Sequence, residues 1–284
     1  MRLSALLGSM RGLVRGNPLA LAGALILVAL CAGMAWPGLL TAHQPLTIDI
    51  VHKFAPPSSP HLLGTDAFGR DVFARLLFGA RSTLLIGFGV VALAFVAGTA
   101  YGTVSGYVGG WLDNAMMRFV DAMLAFPSLV LAIALSAAFG PSLRNAMLAV
   151  AIVLAPQFAR LARAQAMGIS AQLYVTAAIA IGVPHRRILL QYVLRNGIGP
   201  LLVQATLAVG GAILQTASLG FLGLAAQPPW PEWGSDLASS LSTIDDAPWV
   251  PLAPGLAIFA TVMACNLIGD ALAKGFDPRQ RQSS

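Results

Sequence analysis

The sequence predicts an all-α integral membrane protein with six transmembrane helices. Three observations predict it. Only 10% of the 284 residues are charged, whereas soluble domains average about 25%. Hydrophobic residues make up 57% of the chain, and the mean hydropathy is +0.77. The apolar residues are gathered into long uncharged runs of membrane-crossing length.

The elements follow in order. Residues 1–17 carry Arg2, Arg11 and Arg15 and form a cytoplasmic N-terminus. The first span, 18–40, is about 23 residues and reaches about 34 Å, enough to cross the hydrocarbon core. It is long for a signal-peptide core, and Trp36-Pro37 is a poor cleavage context, so a retained span is expected. Residues 41–81 form an outer segment with Pro45, Pro56, Pro57 and Pro60. Residues 82–272 make the transmembrane core. Span two, Ser82–Val104, carries Gly87, Gly89, Gly98 and Gly102, which allow neighbouring helices to approach closely. A short turn and an amphipathic piece, GYVGGWLDNAMMRFVD, lead into span three, Ala122–Phe139, which contains Pro127. Gly140-Pro141 turns into span four, Asn145–Ala159, whose exit is marked by Arg160 and Arg163. A polar loop, 166–196, precedes span five, Gly197–Leu222. A Pro/Trp-rich acidic loop, Gln227–Trp249, precedes span six, Val250–Ile268, and 273–284 form a basic tail.

Six spans put both termini on one side. Of the 17 Lys and Arg residues, only Lys53, Arg70, Arg75, Arg81 and Arg144 then fall outside, so the positive-inside rule makes both termini cytoplasmic. The same rule accounts for the net charge of +6 without nucleic acid. Cys31 and Cys265 lie inside apolar runs, where neither spacing nor setting suggests a metal site or disulfide.

The spans lack Asp, Glu, Lys, Arg and His in their apolar cores, which argues against an ion-coupled carrier. Their deep polar groups are amides and hydroxyls. The plain reading is hydrogen bonding between helices. The functional reading is that Gln204, Gln215, Ser218 and Asn266 line a path, with Gln204 and Gln215 eleven residues apart on one face. The chain has two lysines, Lys53 and Lys274, and neither sits in a phosphate-loop context. No nucleophile elbow, zinc-ligand helix or catalytic carboxylate pair can be assembled. His43, His52, His61 and His185 are scattered. An enzyme, a bound cofactor and a metal site are therefore not expected.

The most distinctive stretch is Tyr174–Asn196, YVTAAIAIGVPHRRILLQYVLRN. An Ala-rich helix permits close approach. Gly182 turns the chain without a Cβ penalty, and Pro184 suits the first turn of a following helix. Arg186 and Arg187 present charge. The plain reading is an amphipathic helix resting on the membrane; the functional one is a docking element for a partner.

This loop resembles the "EAA" loop of bacterial ABC importer permeases, E-A-A-x-x-x-G-x9-I-x-L-P. Ala177, Ala178, Gly182 and Leu194 match, while Thr176, Tyr192 and Arg195 depart from the pattern. The flanks HLLGTDAFGRDVFARLLFGARSTLLIG, GYVGGWLDNAMMRFVDAMLAFPSLVL, SLGFLGLAAQPPWPEWG and PWVPLAPGLAIFATVMACNLIGDALAKGFDPR are similar to C-type permease subunits of the dipeptide/oligopeptide/nickel importers. The resemblance spans about residues 15–281, and Ala273 stands where members often carry Arg. It implies the type I ABC importer permease fold. It also implies docking to a separate ATPase through Tyr174, Thr176, Ala177, Ala178, Gly182, His185, Arg186 and Arg187. The implied partners are a B-type permease subunit, one or two kinds of ABC ATPase subunit that hold the ATP-Mg, and a periplasmic or lipid-anchored substrate-binding protein. The implied cargo is short peptides, with nickel chelates, glutathione or another small solute as alternatives. A secondary carrier and a non-transporting scaffold subunit are the rivals from other classes.

The outer stretch Gly64–Arg81 pairs Asp66 with Arg70 and Asp71 with Arg75 at helical spacing. The plain reading is a solvated interfacial helix. The functional reading makes Asp66, Arg70, Asp71 and Trp233 a surface for the binding protein. Interfacial anchoring is the default for Trp230, Trp233 and Trp249.

Overall fold

The computed structural model describes residues 18–276, and among them every regular element is helical. The expectations for residues 1–17 and for the tail beyond 276 lie outside the described residues. In hydrocarbon each backbone group must be bonded within its own segment, which helices achieve. Five helices are long and apolar enough to cross: α1 Pro18–Ala35, α2 Val72–Val108, α5 Leu143–Ser170, α7 His185–Phe221, and α9, which runs over Trp249–Phe276. Between them lie α3 Gly110–Leu124, α4 Ser128–Phe139, α6 Leu173–Ala180 and α8 Trp233–Ser240.

Two expected spans are corrected. Span one ends at Ala35, and Pro37–Leu40 forms a separate turn, because Pro37 has no N–H to continue the ladder. Span three is not straight: α3 and α4 meet at a 92° bend. Pro127 disfavours the helical conformation at the residue before it and cannot donate to the preceding turn. The 12 residues of α4 reach only about 18 Å, short of the bilayer core. Five helices are thus long enough to cross on their own, and α3 with α4 makes a sixth only as a bent pair.

The 37-residue α2 begins ten residues before the expected Ser82. Asp71 starts it, its Oδ1 accepting the Ala74 N–H at 2.7 Å. Its closest partner is α5. Gly98, Gly102 and Gly106 face Ala155, Ala159 and Arg163, both sets four residues apart. A Cβ on the three glycines would stand 2.3, 2.0 and 2.5 Å from the respective carbonyl oxygens. Small residues at this spacing bring the two backbones into contact, which is how helices associate where no water drives them together. Phe158 of α5 is fully buried and meets Phe95 of α2 edge-on at 5.7 Å. Helix α7 packs on α2, α5 and α9, and α1 closes the far side of α9 through Gly23.

Residues 41–71 and the stretch around α8 fold together as a cap at one end of the bundle. Glu232 is the N-cap of α8 and accepts N–H bonds from Gly234 and Ser235 at 2.9 Å each. It is fully buried, and the hydroxyl of Thr83 on α2 donates to it at 3.3 Å. Arg75 of α2 pairs with Asp236 and donates to the carbonyls of Pro45 at 3.2 Å and Pro229 at 3.3 Å. One buried guanidinium thus ties both cap segments to α2. The opposite end carries α6 and the start of α7.

Candidate functional site

Helix α6 is short, and its end is fixed by backbone geometry. Gly182 adopts φ +80°, the Gly182 N–H bonds Ile179 O at 3.0 Å, and the Val183 N–H bonds Ala178 O at 3.0 Å. This pair of bonds is the Schellman stop, which needs a left-handed residue where Gly182 sits. Pro184 takes the N-cap position rather than the first turn of α7; its carbonyl accepts from Arg187 N at 2.9 Å. The opening of α7 then contains a seven-residue π-helical stretch, Ile188–Leu194. Such stretches are rare and recur at functional sites.

The loop is fastened from behind. Val175, Ile188 and Val193 are buried with Ala166 of α5, and Tyr107, Ile169, Val183 and Tyr192 pack around them. Tyr107 Oη of α2 and His185 Nδ1 lie 2.6 Å apart in a hydrogen bond. Asn196 Nδ2 donates to Tyr174 Oη at 3.2 Å, and the Tyr174 and Tyr192 rings stack at 6.4 Å. Just beyond, Arg163 of α5 grips Asp113 of α3 with two bonds of 2.6 Å, and Ser105 of α2 donates to the same carboxylate at 2.6 Å. A bidentate guanidinium–carboxylate pair fixes orientation as well as distance. Helix α6 and its turn are therefore joined by packing and hydrogen bonds to α2, α5 and α7, and α5 in turn to α3.

The outward face is different. Thr176, Ala177, Gly182, His185, Arg186 and Arg187 are exposed. Leu173 is 87% and Ile181 81% exposed, large apolar side chains at the two ends of α6, with Ile181 at the end leading into the cationic turn. Ala178 departs from its predicted place: it is 4% exposed and faces inward with Val175. Tyr174 is 45% exposed but its hydroxyl is engaged internally. Leu173 and Ile181 were not singled out from the sequence, because in so apolar a chain one more Leu or Ile carries no signal until its exposure is known.

The remaining expected sites disperse. Gln204 and Gln215 are half-buried on α7, and Gln215 Oε1 has no hydrogen-bond partner among the described residues. Ser218 donates to Leu214 O of its own helix at 2.8 Å. Asn266 is exposed on α9 beside Gly210 of α7. At the cap, Asp66 is 6%, Asp71 4% and Trp233 1% exposed. Trp233 is not at an interface: its indole N–H donates to Leu76 O at 2.9 Å and its ring fills the space over Gly79. Asp66 and Arg70 do pair, at 2.7 Å, but on a turn before α2 rather than on a helix. Asp71 and Arg75 do not pair, because Asp71 caps α2 and holds His61 while Arg75 is drawn to Asp236. Asp66, Arg70, Arg75, Trp233 and Asp236 line a cavity of ≈ 440 Å³ with Trp230, which is 65% exposed.

Residues 98–282 match the family described as "Binding-protein-dependent transport system inner membrane component". The chain is 42% identical, over 94% of its length and 88% of the relative's, to the dipeptide transport system permease protein DppC of Alkalihalophilus pseudofirmus. It is 43% identical over 94% of its length, and 90% of the relative's, to the probable D,D-dipeptide transport system permease protein DdpC of Escherichia coli. It is 42% identical over 78% of its length, and 74% of the relative's, to the glutathione transport system permease protein GsiD of Pectobacterium atrosepticum.

Proposed function

Because the chain belongs to the family of binding-protein-dependent transport system inner membrane components, we propose that its 174–196 segment is the element a separate ATPase subunit grips. The chain is a multi-pass inner-membrane permease, a pore-forming subunit of an ATP-driven peptide importer, similar over nearly its whole length to C-type dipeptide permeases. Short peptides are the first reading of its cargo. The similarity to a glutathione permease supports a second reading, a small peptide-like thiol.

The chain acts without an ATP site of its own, so hydrolysis of ATP-Mg belongs to the partner subunits. The end carrying α6 faces the cytoplasm and the cap faces the binding protein, as the distribution of Arg and Lys supports. The other half of the pore is a B-type permease subunit. Closure of the ATPase subunits around bound ATP displaces α6. The Schellman stop keeps α6 rigid against the turn, and the cluster of Val175, Ile188 and Val193 transmits the displacement as one body. Helices α2, α5 and α7 then shift against the partner half, and the path opens outward. ATP biases a two-state element, so it moves the equilibrium only by its differential affinity for the two states.

The single observation that carries this reading is the contrast between the two faces of the loop. One is locked into the bundle; the other leaves Leu173, Ile181, Arg186 and Arg187 exposed. Paired Gly182→Asp and Arg186→Glu substitutions test it. The expected result is loss of ATPase co-purification and of transport, with membrane insertion intact. Normal co-purification and transport by this variant would remove the docking role.

A further inference from the structure

Three of the chain's four histidines converge in the cap, although they are scattered in sequence. His43 Nε2 lies 2.9 Å from Pro60 O. A carbonyl only accepts, so Nε2 carries the proton and, in the neutral ring, Nδ1 keeps its lone pair. His61 Nδ1 lies 2.8 Å from Asp71 Oδ2. The two rings stand 4.9 Å apart at 32°. One ligand atom from each of His43, His61 and Asp71 lies within 4.8 Å of the other two. His52 is near His61, at 6.4 Å between rings, but its Nδ1 is turned to Asp49 at 2.7 Å.

We propose that His43, His61 and Asp71 bind one divalent transition-metal ion, zinc being the representative case. Two imidazoles and a carboxylate suit Zn²⁺ or its borderline neighbours, whereas Ca²⁺ and Mg²⁺ demand six or more oxygen ligands in most sites. Tetrahedral bonds of about 2.0–2.2 Å set ligand atoms about 3.3 Å apart. His61 and Asp71 already meet this closely and are held in place. His43 is exposed and swings in by about 1.5 Å to reach that spacing. Its Nε2–H on Pro60 O is the kind of backbone anchor that fixes the tautomer of metal-ligating histidines. A neutral imidazole holds one proton, so moving that of His61 from Nδ1 to Nε2 frees Nδ1 and Oδ2 together with no net proton release. Three protein ligands leave one position open to water or solute. Asp71 Oδ1 caps α2 through Ala74 N, so the ion ties the cap segment to the start of one of the two longest helices in the bundle.

The site is remote from 174–196, so its fate is independent of the docking reading. The test uses the full-length chain in its transporter complex, in lipid nanodiscs, stripped of metal and titrated with Zn²⁺ against a chromophoric chelator. The expected result is one equivalent of Zn²⁺ per chain, weakened about tenfold or more by His43→Gln and by His61→Gln, and unchanged by His52→Gln. Because His43 is exposed, His43→Gln leaves the fold intact and reads ligation alone. Zn²⁺ binding equal in wild type and in the paired His43→Gln, His61→Gln variant would overturn the proposal, as would equal loss in His52→Gln.

Discussion

Tyr107 and His185 are hydrogen-bonded across 78 residues of sequence, Oη to Nδ1 at 2.6 Å. The contact joins the end of α2 to the first residue of α7, immediately after the turn that an ATPase would press. Few polar bonds link α6 and its turn to the helices behind, and this one reaches the element that runs the full length of the bundle. A neutral hydrogen bond of this kind contributes about 1 kcal/mol. Tyr107→Phe keeps the ring and its packing, so the ATPase remains bound. Transport per ATP hydrolysed is expected to fall about fivefold, the equivalent of that energy. Parallel assays of hydrolysis and uptake in proteoliposomes read the ratio; an unchanged ratio would show that the bond is not in the transmission path.

The apolar knobs on the outer face of α6 should matter more than the charges. Leu173→Ser and Ile181→Ser each remove a side chain that is more than four-fifths exposed, so the fold of the chain loses nothing. If α6 is the docking element, the complex buries those side chains, and each loss is expected to weaken ATPase binding by about 1.5–3 kcal/mol, roughly ten- to a hundredfold. Affinity of the detergent-solubilised permease for its ATPase measures this directly.

Close backbone contact between α2 and α5 predicts a sharp contrast between two glycines. A Cβ at Gly102 would stand 2.0 Å from Ala159 O, and neither backbone can retreat without opening the interface. Gly102→Ala should cost about 1–3 kcal/mol or more. Gly211→Ala meets nothing within 4 Å, lies in the middle of α7, and should be neutral or mildly stabilising. Thermal unfolding of the two variants side by side distinguishes them.

Burial pushes the Glu232 carboxyl above its ordinary range, against the pull of the Gly234 and Ser235 N–H groups. The sign follows from linkage. A carboxyl whose folded-state pKa is raised binds protons more tightly when folded. Its contribution to stability is complete below the ordinary value of about 4.3 and is lost as pH rises through the elevated one. The cap should therefore be more stable in mild acid than at neutral pH. Glu232→Gln removes that dependence while costing about 1 kcal/mol, because one of the two capping N–H groups loses its acceptor. Hydrogen exchange of α8 amides across pH follows both effects.

Much of the architecture was legible in the chain because hydrocarbon leaves so few choices. Apolar runs of sufficient length have to be helices, and five appear close to where hydropathy places them. The bend at Pro127 was half legible: proline at a span announces a kink, but only packing decides between a tilt and a 92° break. The shape of the 174–196 loop was legible through its Gly182 stop and cationic turn. Which face of α6 points outward was not, since Ala177 and Ala178 are neighbours in sequence and yet one is exposed and the other buried. The cap was least legible. Helical spacing offered Asp71 only Arg75, four residues on, and the partner it takes, His61, is ten residues back on a loop. Trp233 looked like an anchor because tryptophan at a membrane edge usually is one, and only the space over Gly79 makes it core.

The most direct test of the central claim is a cross-link. A photoreactive residue placed at Thr176, in the exposed middle of α6, reports what that face touches in the assembled importer. The account predicts a covalent adduct with the ATPase subunit whose yield changes when ATP is bound. An adduct with lipid alone, insensitive to ATP, would contradict it.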